Sequence, residues 1–272
     1  MGKTIVVTSG KGGVGKTTAT ANLGSALALR DNKVVVIDTD IGLRNLDVVM
    51  GLENRIVYDL VDVVEGTCKL HQAMIRDKHA KELYLIPAAQ TRDKNSIEPE
   101  QLRDVCNRLK EDFDYVIVDC PAGIERGFQN AVAASDAAIV VTTPEVSAVR
   151  DADRVIGLLE ASSIGTPDLV INRVRAKMVS EGDMMDKDDV LSLLSVRVIG
   201  VVPDDSQVIV ATNKGLPVVH DNKSLSGEAF RRIAARIDGE DVPFLDLDER
   251  KGMVSRLLGI FGNTNGRNGH HA

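Results

Sequence analysis

The sequence predicts an α/β fold, a mostly parallel central sheet with helices on both faces. Three observations carry this. Short runs rich in Val, Ile and Leu recur at 4–8, 34–37, 83–86, 115–118, 138–142, 169–171 and 198–202. They are nearly continuous rather than alternating, the pattern of strands covered on both faces. Helix-like stretches at 16–30, 99–110, 146–161 and 186–194 separate them, as right-handed βαβ crossovers require. A further helix at 226–237 closes a first domain spanning 1–238.

The first run leads directly into Gly10-Lys11-Gly12-Gly13-Val14-Gly15-Lys16-Thr17. This is a GxxxxGK[ST] phosphate loop in the strand–loop–helix setting that the motif needs. Its glycines let backbone N–H groups approach phosphate oxygens, and the N-terminus of the following helix adds positive potential. Lys16 is placed to reach the β and γ phosphates of a nucleotide, and the Thr17 hydroxyl to ligate Mg²⁺. Lys11 is a second loop lysine, suited to charge stabilisation at a transferring phosphoryl group across a dimer interface.

The second run ends in Asp38-Thr39-Asp40, two carboxylates spaced to face the same side. The run at 115–118 ends in Asp119, the Walker B form, followed by Pro121-Ala122-Gly123, a candidate switch that senses the γ-phosphate. Ligands of open α/β sheets bind beyond the carboxyl ends of the strands, where these acidic groups stand. One aspartate of the first pair can orient Mg²⁺ through water and the other can position attacking water.

Composition narrows the alternatives. With 33 Lys and Arg against 40 Asp and Glu the net charge is −7, so no global basic field draws the chain to nucleic acid. Trp is absent and aromatics are 3%, leaving few stacking platforms for single strands. Cys68, Cys106 and Cys120 are isolated, which suits a reducing compartment and argues against a disulfide framework or a cysteine-held metal cluster. Cys120 reads as a buried packing residue, and His270 and His271 do not form a preformed metal site. No signal peptide opens the chain and no run approaches the ~18 apolar residues of a membrane span. The expected location is the cytoplasm, with reversible attachment to the inner face of the cell membrane.

That attachment is expected from the C-terminus. Residues 239–249 are acidic and proline-containing and read as a linker, and 263–272 read as a disordered tail. Between them, at 100° per residue, Met253, Val254, Leu257, Leu258, Ile260 and Phe261 share one face. Arg250 and Lys251 flank that face with charge for anionic headgroups. A helix of about a dozen residues is marginal in water. One copy should therefore bind lipid weakly, whereas two copies on a dimer gain ~10²–10⁴ in avidity.

The KGGVGKT loop resembles that of the deviant Walker A family of P-loop ATPases. Its members include partition ATPases, arsenite-pump ATPases, nitrogenase iron protein and cell-division regulators. The strings Asp38-Thr-Asp-Ile-Gly-Leu-Arg-Asn-Leu-Asp47, Asp119-Cys-Pro-Ala-Gly-Ile-Glu125 and Thr143-Pro-Glu-Val-Ser-Ala-Val-Arg-Asp-Ala-Asp153 are similar to its septum-placing branch, and to the Gram-positive type within it. The similarity spans roughly residues 3–262; the tail beyond departs from the usual pattern. It implies ATP and Mg²⁺ as cofactors, slow stimulated hydrolysis and an ATP-dependent homodimer in which Lys11 acts across the interface. It implies that Gly12 through Thr17, with Thr18, hold phosphate, that Asp40 positions the attacking water, and that Asp38 and Asp119 belong to the Mg²⁺ shell with Thr17. Asn172-Arg173 and Pro203-Asp204-Asp205 match the family's adenine pocket. Ser147, Asp151 and Asp153 match the surface that takes the division inhibitor MinC. A spatial regulator, either an oscillator or a polar anchor, is a further implied partner. Two other members compete. A DNA-partition ATPase is disfavoured by the charge of −7 and the terminal amphipathic segment, and a flagellar-placement relative only by the string at 38–47.

Overall fold

A computed structural model describes residues 2–93 and 96–246. Eight strands form one sheet: β1 (Lys3–Thr8), β2 (Val34–Asp38), β3 (Ile75–Arg76), β4 (Leu83–Ile86), β5 (Tyr115–Asp119), β6 (Ala137–Thr142), β7 (Asp168–Val174) and β8 (Arg197–Pro203). Their order is β3-β4-β2-β5-β1-β6-β7-β8, and every pairing is parallel except β3 with β4. The helices are α1 (Lys16–Ala28), α2 (Leu46–Val49), α3 (Leu60–Val64), α4 (Leu70–Ala73), α5 (Pro99–Leu109), α6 (Arg126–Ala133), α7 (Val146–Glu160), α8 (Ala176–Glu181), α9 (Lys187–Leu194), α10 (Ser206–Asn213) and α11 (Leu225–Ile237).

The continuous apolar runs are explained by two cores, one on each face of the sheet. Helices α5, α6, α7 and α9 bury Leu102, Phe128, Val155 and Val190 on one face. On the other, α1 and α11 bury Leu23, Leu27, Phe230 and Ile233. Alternate residues of each central strand feed the two cores, so β2 reads Val34-Val-Val-Ile with no polar position. Helix α1 is enclosed nearly all round, and its sequence accordingly lacks an amphipathic stripe.

The site depends on register. Asp38 of β2 pairs with Asp119 of β5, and Asp119 pairs with Val7 of β1. Two carboxylates therefore stand side by side where β1 releases the phosphate loop.

The predicted elements lie within one to three residues of the observed ends. The antiparallel edge strand β3 was not foreseen, because two residues carry no periodicity. Residues 239–246, expected to begin a linker, are laid back along α11 instead. Arg236 donates to the Val242 carbonyl at 3.0 Å, and Arg232 to the Pro243 and Phe244 carbonyls at 3.0 and 3.1 Å. The Phe244 ring lies 4.1 Å from the Arg236 guanidinium and 5.2 Å from Lys187 Nζ. Backbone carbonyls, rather than an apolar stripe, make this attachment, so hydropathy does not reveal it. Among the described residues no helix is long and apolar enough to cross a membrane. The amphipathic segment 250–262 and the tail lie outside the described residues.

Candidate nucleotide site

The phosphate loop is shaped by its neighbours. Gly15 has φ +94° at the start of α1, and a Cβ there would lie 2.4 Å from Asn172 Nδ2. A Cβ on Gly10 would lie 2.2 Å from the Asp151 carbonyl oxygen in α7. Only glycine fits either place. No side chain caps α1 and no acidic residue occupies its first turn, which leaves the N-terminal N–H groups to an anion.

Asn172 ties the loop to β7. Its Nδ2 donates to the Val14 carbonyl at 2.8 Å, and its Oδ1 accepts the Arg173 N–H at 2.9 Å. Arg173 adopts φ +58°, a left-handed conformation held by this contact. Gly15, Thr18, Asn172, Arg173, Pro203, Asp204 and Asp205 wall a cavity of about 620 Å³, within the usual range for small ligands. Asp205 caps α10 through Gln207 N–H at 2.9 Å and accepts the Ser224 hydroxyl at 2.7 Å, joining α10 to the start of α11. The structure thus gathers the loop and both proposed sides of the base pocket around one cavity.

Beside the loop is the acidic pair. Lys16 Nζ and the Thr20 hydroxyl both donate to Asp119 Oδ1, each at 3.0 Å. Asp119 Oδ2 is buried without a hydrogen-bond partner. Burial opposes the Lys16 charge, but adjacent Asp119 outweighs it and holds the ammonium above its ordinary value. Asp38 accepts the Asp40 N–H on Oδ1 at 2.9 Å, and the Asn45 and Leu46 N–H groups on Oδ2 at 3.2 and 3.1 Å. Its carboxyl is pushed up to about 7, first by burial and then by Asp119, with the Asp40 and Leu46 N–H groups pulling the other way. Thr39 pins the strand ends together through the Asp119 carbonyl at 2.7 Å. Asp40 lines a second cavity of about 460 Å³ with Thr39, Pro121, Ala122, Glu125 and Arg126. Thr17 stands half-buried in the first turn of α1.

Lys11 points away from its own loop and donates to Ser147 Oγ at 3.1 Å on the first turn of α7. Ser147, Asp151 and Asp153 are exposed along that helix. Cys120 is fully buried, and burial pushes its thiol up to about 12, so it is inert packing.

Among the described residues no group of three or more His, Cys, Asp or Glu is arranged to hold a metal alone. Mg²⁺ is ordinarily bound by one or two protein oxygens plus phosphates and water. The unpartnered Asp119 Oδ2 and the Thr17 hydroxyl are the oxygens suited to it. Sequence reasoning missed Thr20 as the second partner of Asp119. Its position one helical turn after Lys16 was the available signal.

A family model described as an AAA domain matches residues 2–162. The septum site-determining protein MinD of Bacillus subtilis is 58% identical over 265 residues, covering 96% of this chain and 99% of that protein. The Synechocystis protein of the same name is 57% identical, with 90% and 93% covered. The MinC:MinD cell division complex of Aquifex aeolicus superposes with a TM-score of 0.84 at 45% identity, covering 90% of this chain and 99% of that one. MinD complexed with Mg-ADP from Pyrococcus horikoshii gives 0.80 at 30% identity, with 88% and 96% covered. With phosphate loop, paired aspartates and sheet order all in place, the chain belongs to the MinD family of septum site-determining P-loop ATPases.

Proposed function

We propose that this chain is a slow ATPase that dimerises with ATP, attaches to the cytoplasmic membrane through residues 250–262 and recruits MinC to help place the septum. The observation that carries the reading is the buried Lys16–Asp119 pair, which abuts the open N-terminus of α1 and leaves Asp119 Oδ2 unpartnered.

ATP binding would place the β and γ phosphates against the loop N–H groups. Lys16 then turns part of its charge from Asp119 to phosphate, and Thr20 keeps that carboxylate aimed at the site. Thr17 and Asp119, with Asp38 behind, would hold Mg²⁺, which neutralises phosphate charge when bound. Asp40 borders the cavity on the far side of the loop and is the residue to orient water for attack. Lys11, already directed outward to Ser147, would serve the γ-phosphate of a second copy. Asn172 acts first as a brace: both ends of its amide are engaged, so the base is met mainly by the walls built from Arg173 and Pro203–Asp205.

MinC is assigned as partner because the Aquifex relative is in complex with its own MinC, and Ser147 and Asp151 offer an exposed polar face beside Lys11, with Asp153 exposed farther round the helix. Liposome co-sedimentation with ATP, ADP or no nucleotide tests the whole reading, on the full chain and on a truncation after Glu249. Sedimentation only with ATP, lost on truncation, is the expected result. A full chain that ignores anionic liposomes in every state would sink the membrane function.

A further inference from the structure

On the flank of the nucleotide pocket lies a third cavity, open and about 660 Å³ in volume. Met178, Met184 and Met185 line it, with Val146 from the first turn of α7, a side chain 61% exposed. Its rim is acidic: Glu145, Asp183, Asp186 and Asp189. Of its two arginines, Arg175 is paired with Asp204 at 2.6 Å. Helix α8, which carries Met178, buries none of its residues. Unbranched thioether side chains repack easily, so such a wall accepts apolar side chains of varied shape. Of its lining, the nucleotide reading uses only Arg173, which borders both cavities.

The described chain ends beside this groove. Phe244 is held by Lys187, and Lys187 follows Asp186 of the rim. Leu245 packs on the core below α11, so the strap delivers the chain to the β8 edge at the start of α9. From Asp246, four residues reach Arg250, roughly 13–14 Å when extended. Residues 250–261 carry Arg250, Lys251 and Arg256, no acidic group, and six large apolar side chains on one face. Acidic rim matches basic flank, and methionine wall matches apolar face.

We propose that, off the membrane, residues 250–261 occupy this groove in their own molecule. The apolar face then has two competing seats, the methionines and the lipid. Docking lowers the membrane affinity of a lone copy and covers Val146, next to Ser147 of the candidate MinC surface. Transfer to lipid uncovers it, so membrane attachment and partner binding become linked. The proposal rests on the reading of 250–262 as the membrane-binding segment.

Hydrogen exchange without nucleotide or lipid tests it, comparing the full chain with the truncation after Glu249. Amides of residues 145–146 and 178–189 are expected to exchange several-fold more slowly in the full chain. A synthetic peptide of residues 247–262 should restore that protection to the truncated chain. In the full chain, Met178→Ser and Asp183→Lys should each abolish the protection. Both should also raise nucleotide-free binding to phosphatidylglycerol vesicles several-fold, leaving ATP turnover unchanged. Equal exchange in the two chain lengths overturns the proposal, and so does protection that grows with protein concentration, which would place the segment in a neighbour. The two readings fail separately. Length-dependent protection without any vesicle binding rejects the membrane function alone; ATP-gated vesicle binding with equal exchange rejects the docking alone.

Discussion

The phosphate loop at the end of β1 and the C-terminal strap along α11 are both irregular segments, but they are held by different physics. The loop is enclosed: Gly10 touches the backbone of α7, Gly15 touches Asn172, and Lys16 is buried against Asp119. At Gly10 and Gly15 the neighbours leave no room for an added methyl group. The strap is gripped by two arginines and a stacked ring at a half-exposed surface. The first arrangement must hold one geometry for phosphate; the second can be peeled away without disturbing a core. Stability and chemistry should therefore respond in opposite proportion when the two regions are mutated.

The largest effect should come from splitting the buried ion pair. Lys16→Met leaves Asp119 charged and buried with only the Thr20 hydroxyl as a partner, and should cost about 3–5 kcal/mol in denaturant unfolding while abolishing turnover. Replacing both partners, as in Lys16→Met with Asp119→Leu, should recover most of that stability but no activity. A double variant as unstable as the single one would show that the pair itself matters to the fold.

Gly15→Ala comes next. A left-handed conformation costs a residue with a Cβ about 1–2 kcal/mol, to which the clash with Asn172 adds. Calorimetry should show a lowered Tm, and ATP binding should fall below detection. Asn172→Asp then separates brace from base contact. It keeps the acceptor for Arg173 N–H but loses the donor to Val14, so ATP affinity should drop at least as much for a phosphate-only probe as for ATP. An effect on ATP alone would return Asn172 to the base.

The pH dependence follows from Asp38. Its carboxyl titrates near 7 when folded and about 4 when unfolded, so between those values the folded chain binds more protons. Stability of the nucleotide-free protein should consequently fall as pH rises through that window. Asp38→Asn should flatten the profile; an unchanged slope between pH 5 and 8 would assign it to another group.

The smallest effect belongs to the strap. Phe244→Ala removes two exposed cation–ring contacts and should cost about 1 kcal/mol or less. Its signature is local: faster hydrogen exchange at 240–246 with unchanged ATP turnover.

The same contrast explains what could be read from the sequence. The strands, the long helices and the phosphate loop were legible because each is written in consecutive residues, as in Val34–Asp38 or Gly10–Thr17. The partners of those residues were not. The Asn172–Val14 bond joins positions 158 apart and Lys11–Ser147 joins positions 136 apart, and neither spacing leaves a pattern. Helix α10 was missed because its apolar residues Ile209 and Val210 face outward, so burial does not impose a stripe. The strap was missed because arginines recognise carbonyls, which every residue has.

Strand β8 closes the sheet, and an open sheet margin is a template for a second chain to add itself. Arg236 occupies part of that template by donating to the Ile199 carbonyl at 2.8 Å, and the strap crosses beside it under a cationic clamp. The same guanidinium that tethers the departing chain thus also blunts the margin against strand addition. A variant that frees the strap should show its second cost during concentration or storage, as slow self-association of otherwise folded protein.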